Sequence, residues 1–166
     1  MAARRHNGMA RKGRGNEPYI NHLAEVARLL ATATDGADAE LVAAGWLHDA
    51  IEDTETTREE LAEKFSDRVA SLVVECTDDL SLPKAERRRR QVVDAPKKSA
   101  SARLIKIADK ISNIGARVHS DPTAEECDDL VDYTGWAEQV VAGCRGDNPW
   151  LDKTFDNMAR TARASL

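Results

Sequence analysis

Apolar positions along the chain recur at spacings of three and four far more often than at two, a pattern that predicts helices and almost no strand. Tyr19, Leu23, Val26 and Leu30 keep one face of a helix starting near Pro18, a residue suited to a first turn. Asp38 is placed to cap a second helix with Leu41, Ala44, Leu47, His48 and Ile51 on its inner side. Thr57-Arg58-Glu59-Glu60 reads as a capping box ahead of Leu61 and Phe65, and Ser66 as the cap before Val69, Leu72, Val73 and Cys76. Residues 77–83 form a linker. KAERRRRQVVDA then predicts a helix whose Arg87 to Arg90 run reads first as a solvated face. Leu104, Ile107, Ala108, Ile111 and Ile114 mark a longer helix over residues 99–118. Asp121-Pro122 and Asn148-Pro149 each look like a cap followed by a first-turn proline. The first of these helices runs to Gly143, and the second carries Leu151, Phe155, Met158 and Ala162. The expectation is one all-α domain of about eight helices, with residues 1–15 as a basic arm and residues 16–164 as the helical body.

Bulk properties narrow the function. A chain of 166 residues has room for a real core, and a net charge of −5 with 32% charged residues reads as soluble. No apolar run reaches spanning length and no signal segment opens the chain, so a cytoplasmic protein without membrane contact is expected. Cys76, Cys127 and Cys144 form no CxxC pair and read as small apolar residues. Arg4, Arg5, Arg11, Lys12 and Arg14 precede the first acid, Glu17. That arm reads as a frayed terminus or as a phosphate contact, while the acidic remainder argues against a general nucleic-acid binder.

WLHDAIEDT, residues 46–54, changes the picture. His48, Asp49, Glu52 and Asp53 stand in two adjacent turns of an otherwise apolar run, where desolvation is costly without compensation. His48 and Asp49 can reach one ion, with Glu52 and Asp53 a turn away. Two distant partners are candidates: His22, inward on the helix of Tyr19 and Val26, and Asp109, which interrupts the apolar stripe of LIKIADKISNI. His22, His48, Asp49 and Asp109 as metal ligands make a mixed nitrogen and hard-oxygen set that suits a divalent ion such as Mn²⁺, with zinc or iron open on ligand type alone. The chemistry expected of such a centre is hydrolysis at phosphorus, with Glu52 and Asp53 as catalytic acid–base groups. The competing readings are a core histidine at position 22 and a solvated helix end at Glu52-Asp53-Thr54.

RKGRGNEPYINH, WLHDAIEDT, CTDDLSLPKAERRRRQ and LIKIADKISNI together resemble the hydrolase domain of the RelA/SpoT homologues, in the HD-domain superfamily of metal-dependent phosphohydrolases. The likeness spans roughly residues 5–163 and is nearest to the free-standing small alarmone hydrolases first described in animals. It implies an all-α HD-domain bundle and one Mn²⁺ on the residues matching His22, His48, Asp49 and Asp109. It also implies removal of pyrophosphate from the 3′ position of ppGpp or pppGpp, giving GDP or GTP, with Glu52 and Asp53 serving catalysis. By the same resemblance Arg11 and Lys12 meet the nucleotide, Arg11 by stacking on the base. Asn113 matches a sugar contact, Tyr133 an aromatic residue at the nucleotide end and Lys84 a lysine near the phosphates. A hydrolase without a synthetase domain, degrading alarmones without making them, is expected. Two positions depart from the family: Gly115-Ala116 where long members carry Arg-Thr, and Asp129 where the small enzymes carry arginine nearby. Arg117 and the Arg87 to Arg90 run are the candidates to compensate.

Rival substrates within this class are adenosine alarmones such as ppApp and the 2′-phosphate of NADPH. Another HD nucleotidase, or a nucleotide-binding module without turnover, are the more distant alternatives. A monomer or a homodimer fits equally.

Overall fold

The computed structural model describes residues 1–11, 17–118 and 122–166. Its elements are α1 (Ala2–Arg5), α2 (Ile20–Ala33), α3 (Ala39–Leu47), α4 (Ala50–Asp53), α5 (Arg58–Lys64), α6 (Asp67–Cys76), α7 (Lys84–Asp94), α8 (Ala100–Gly115), α9 (Ala124–Ala142) and α10 (Pro149–Ala164), with a 3₁₀ turn over Ala95–Lys97. The extended pairing among the described residues is one isolated bridge, Ala10 to Pro18. The all-α expectation holds.

Local chemistry sets the helix starts. Asp38, Ser66, Ser99 and Asn148 each accept a hydrogen bond from the backbone N–H three residues on, which satisfies an otherwise orphaned donor. Thr57 caps α5 in the same way, but Glu60 does not reach back to it; its carboxylate pairs with Arg5 at 2.7 Å and Lys64 at 2.5 Å. The expected start at Asp121-Pro122 moves: Thr123 caps α9 and Glu126 completes a true capping box, while Asp121 lies outside the described residues. Residues 2–5, expected within the basic arm, form a helical turn with Ala2 buried against the core.

α8 is the axis of the fold, packed by α2, α3, α6, α9 and α10. Its apolar stripe predicts one buried face, yet Lys106, Asp109, Lys110 and Ser112 are buried as well. Polar groups so enclosed need partners: Lys106 Nζ donates to the Cys76 carbonyl at 2.7 Å, and the other three find theirs in and around the centre described below. Cys76 and Cys144 are buried free thiols, and Cys127 is partly exposed.

The helix expected from Asp38 through Ile51 is broken. α3 stops at Leu47, and Asp49 sits at φ −97° and ψ 0°, in the sparsely populated bridge region. The two-residue turn carries His48 and Asp49 to the same side. α3 reaches α2 closely because Gly45 has no side chain: a β-carbon there would lie 2.5 Å from Leu30 Cδ1. Leu30 is fully buried and cannot swing aside. Gly45→Ala should therefore destabilise the protein by about 1–3 kcal/mol, the usual cost of overpacking. The expected shift is about 2–12 °C in thermal midpoint, and an unchanged midpoint would show that the contact relaxes freely.

Candidate metal centre

His22 from α2, His48 and Asp49 from the turn after α3, and Asp109 from α8 converge on one buried point. His22 Nε2 lies 3.5 Å from Asp49 Oδ2 and 3.4 Å from Asp109 Oδ1. His48 Nε2 lies 3.1 Å and 3.7 Å from the same two oxygens. Ligand atoms of His22, His48 and Asp109 all fall within 4.8 Å of one another, a spacing one cation can bridge.

The outer atoms aim the inner ones. His48 Nδ1 donates to Gly45 C=O at 2.8 Å, one of the last carbonyls of α3, which leaves Nε2 as the lone-pair nitrogen of the neutral ring. That Nε2 is buried and has no hydrogen-bond partner. Ser112 Oγ gives its single proton to Glu25 Oε2 at 2.7 Å, so it accepts from His22 Nδ1 at 2.9 Å. His22 Nε2 is thereby freed as a lone pair too. Asp109 accepts from Lys110 Nζ at 2.8 Å and from Asn113 Nδ2 at 2.6 Å. Tyr19 O–H donates to Asp49 Oδ2 at 2.6 Å. Metal-binding histidines and carboxylates are usually braced in this manner.

Electrostatics favour positive charge at the centre. Burial alone would lower the pKa of both imidazoles, but Asp49 and Asp109 outweigh it, and both are raised, His48 strongly. Burial would lift the two carboxyls, and for Asp109 Lys110 and the imidazoles, for Asp49 the imidazoles, reverse this and hold them ionised. A lone pair without a partner, two braced imidazoles and two ionised carboxylates fit a divalent cation of the hard-to-borderline class.

Glu52 and Asp53 stand next to the centre on different sides. Glu52 accepts from Asp78 N–H at 3.0 Å and lines a cavity of about 410 Å³ with Lys84, Arg87, Arg88, Arg117 and Tyr133. Asp53 lines a second cavity of about 480 Å³ with Tyr19, Asn113 and Arg117. Burial raises the pKa of both; the Asp78 N–H opposes it at Glu52 without reversing it, and the Asp49 charge adds to it at Asp53.

The structure brings Lys84 and Tyr133 to the first cavity and Asn113 to the second. Lys12 lies outside the described residues. Arg11 differs from the base-stacking expectation: its side chain is 4% exposed and committed to Ser112 Oγ at 2.7 Å, the Ser112 carbonyl, and Glu25 at 3.3 Å. It braces the support of His22. Of the arginine run, Arg89 and Arg90 are exposed and pair with Glu86, as a solvated face does. Arg88 instead lies 4.7 Å over the Trp136 ring and pairs with Asp132 at 2.7 Å.

Sequence reasoning missed Tyr19, Glu25, Lys110 and Ser112 as supports, and His6, whose buried ring stacks on Tyr19 at 5.5 Å. In the sequence Tyr19 belongs to an apolar stripe; its spacing of three from His22 is the available signal. Ser112 offers a test. Ser112→Ala removes the acceptor for His22 Nδ1–H and should weaken divalent-ion affinity by roughly 10–100-fold. Titration with Mn²⁺ checks it, and an unchanged affinity would show that the hydroxyl does not orient the imidazole.

Comparison with known proteins agrees with this geometry. A family model described as HD domain matches residues 1–131. Guanosine-3′,5′-bis(diphosphate) 3′-pyrophosphohydrolase MESH1 of Danio rerio is 41% identical over 95% of this chain and 88% of its own length. The protein of the same name from Homo sapiens is 40% identical over the same shares. A solved structure of a metazoan orthologue of SpoT, described as hydrolysing ppGpp and playing a role in starvation responses, superposes with a TM-score of 0.87. It is 36% identical and covers 99% of this chain and 92% of that one. The chain belongs to the HD-domain family, in the branch of the free-standing small alarmone hydrolases.

Proposed function

We propose that the protein is a divalent-metal-dependent 3′-pyrophosphohydrolase that converts ppGpp and pppGpp to GDP and GTP with release of pyrophosphate. The observation that carries the reading is the convergence of two imidazole Nε2 atoms and two ionised carboxylates, each braced from outside, beside an acid pair that opens onto two cavities. The named activity of the similar proteins supports the substrate.

His22, His48, Asp49 and Asp109 hold the ion, and Mn²⁺ suits their donor set. When bound, that ion supplies polarisation of a phosphoryl oxygen and a more acidic attacking water. In the net reaction the water oxygen bonds to the phosphorus that bears the 3′-oxygen. The bond from that phosphorus to the 3′-oxygen breaks, the 3′-oxygen gains a proton, and pyrophosphate leaves. Glu52 and Asp53 share the proton traffic. Burial makes each carboxyl readier than usual to take a proton, which is the direction a general base or acid needs. Lys84, Arg87 and Arg88 on one wall of the first cavity supply donors suited to a diphosphate, beside the acids Glu52, Asp78, Asp129 and Asp132. Asn113 and Tyr133 complete the nucleotide side. No helix is long and apolar enough to cross a membrane among the described residues. The free thiols fit a reducing, cytoplasmic setting.

The test is product identification with Mn²⁺ and, in parallel, ppGpp, ppApp and NADPH. Release of pyrophosphate from ppGpp at the highest rate is expected. Faster consumption of ppApp or NADPH, with ppGpp intact, would transfer the assignment to that substrate. Orthophosphate from ordinary nucleotides alone would make the protein a different nucleotidase.

A further inference from the structure

We infer that Arg117 is a substrate-contacting residue, a guanidinium platform that holds the nucleotide at the wall between the two cavities. The nucleotide's identity rests on the hydrolase reading; the contact itself rests on geometry.

Arg117 follows α8 directly, one turn beyond Asn113. Three contacts pin its head group. Nη1 donates to Asn113 C=O at 2.8 Å, Nε donates to Asp129 Oδ2 at 2.8 Å, and the guanidinium carbon lies 3.8 Å from the centroid of the Tyr133 ring. A free arginine would lose rotamer freedom on gripping a ligand; here most of that ordering is done in advance. The side chain remains 17% exposed. Among the described residues Nη2 has no hydrogen-bond partner, so two strong donors remain for a phosphate or carbonyl oxygen.

Position separates this from a mere brace between α8 and α9. Among the described residues, Arg117 alone lines both cavities: the one with Glu52 and Lys84, and the one with Asp53, Tyr19 and Asn113. A molecule that spans Glu52 and Asp53 must pass it. Tyr133 is covered by Arg117 on one face and met edge-on by Trp136, with centroids 5.3 Å apart. The aromatic ring thus acts through the guanidinium lying on it. Planar guanidinium on an aromatic face, with donors at its rim, suits a purine base above and a phosphate at the edge. Asp129 sets the strength of this contact, because it occupies Nε and cancels charge close to where an anion binds.

The experiment compares Arg117→Ala, Arg117→Lys and Asp129→Asn with the unaltered protein, in Mn²⁺-dependent hydrolysis of ppGpp and in equilibrium binding of GDP. Arg117→Ala should raise KM and the GDP dissociation constant about tenfold or more with kcat little changed, the signature of a uniform binding contact. Arg117→Lys should recover less than half of that loss, since an ammonium neither stacks nor forks. Asp129→Asn should move both constants the opposite way, to tighter binding. A brace between helices predicts the reverse: Arg117→Ala and Asp129→Asn would shift together, chiefly in thermal midpoint. Unchanged constants in Arg117→Ala, or shifts of like sign in Arg117→Ala and Asp129→Asn, overturn the inference and leave the hydrolase reading intact. No pyrophosphate from ppGpp with the unaltered protein overturns the hydrolase reading, and the GDP arm still decides Arg117. An unaltered protein that neither hydrolyses ppGpp nor binds GDP overturns both.

Discussion

Asp109→Asn is expected to abolish ion retention and reduce hydrolysis to background while leaving the fold intact. Asp109 faces both imidazoles and carries one of the two negative charges of the centre. Lys110 holds it ionised from the other side, with Nζ buried and poised 4.5 Å over Trp136. Removal of an outer partner costs a metal site roughly 10–100-fold in affinity, and loss of a ligand exceeds that. The choice of asparagine matters. Asp109→Ala would strand the buried Lys110 ammonium, at a cost of about 3–5 kcal/mol, and confuse misfolding with lost chemistry. Asparagine keeps an oxygen for Lys110 and the same volume. Dialysis against Mn²⁺ with a parallel thermal melt checks both halves. Retained ion in a folded Asp109→Asn protein would remove Asp109 from the centre.

Glu52→Gln should do the opposite: keep the ion and lose the chemistry. The amide preserves an oxygen for the Asp78 N–H, now 3.0 Å away, so the turn after α6 stays in place. It cannot exchange a proton. Acid–base groups contribute about 10²–10⁴-fold, so kcat should fall at least 100-fold, about 2.7 kcal/mol in barrier. kcat and kcat/KM should fall together, because the lost interaction belongs to the transition state. Asp53→Asn should behave alike. Normal turnover in both variants would take the pair out of the mechanism.

Much of the site was legible in the chain because its members break patterns. Asp109 stands out within an apolar stripe, and the HDAIED cluster within an alanine-rich run; both are costly unless compensated, and cost is readable from spacing. The helices were legible for the same reason, through period and caps such as Asp38, Ser66 and Asn148. What stayed hidden depends on tertiary proximity. Ser112 lies 90 positions from His22, and nothing local says that its hydroxyl orients that ring. Arg11 reads as a surface cation until α8 supplies Ser112 as its acceptor. The break at His48–Asp49 was missed because alanine-rich flanks predict continuous helix, whereas the imidazole's claim on the Gly45 carbonyl belongs to the folded centre.

The central claim is that four side chains from three parts of the chain hold one divalent ion. Mn²⁺ loses its free-ion paramagnetic signal on binding, so titration of the protein into Mn²⁺ counts the sites directly. One equivalent should bind per chain, and none at the same concentrations in His22→Ala or Asp109→Asn. An unaltered protein that binds no ion, or variants that bind it as tightly, would contradict it.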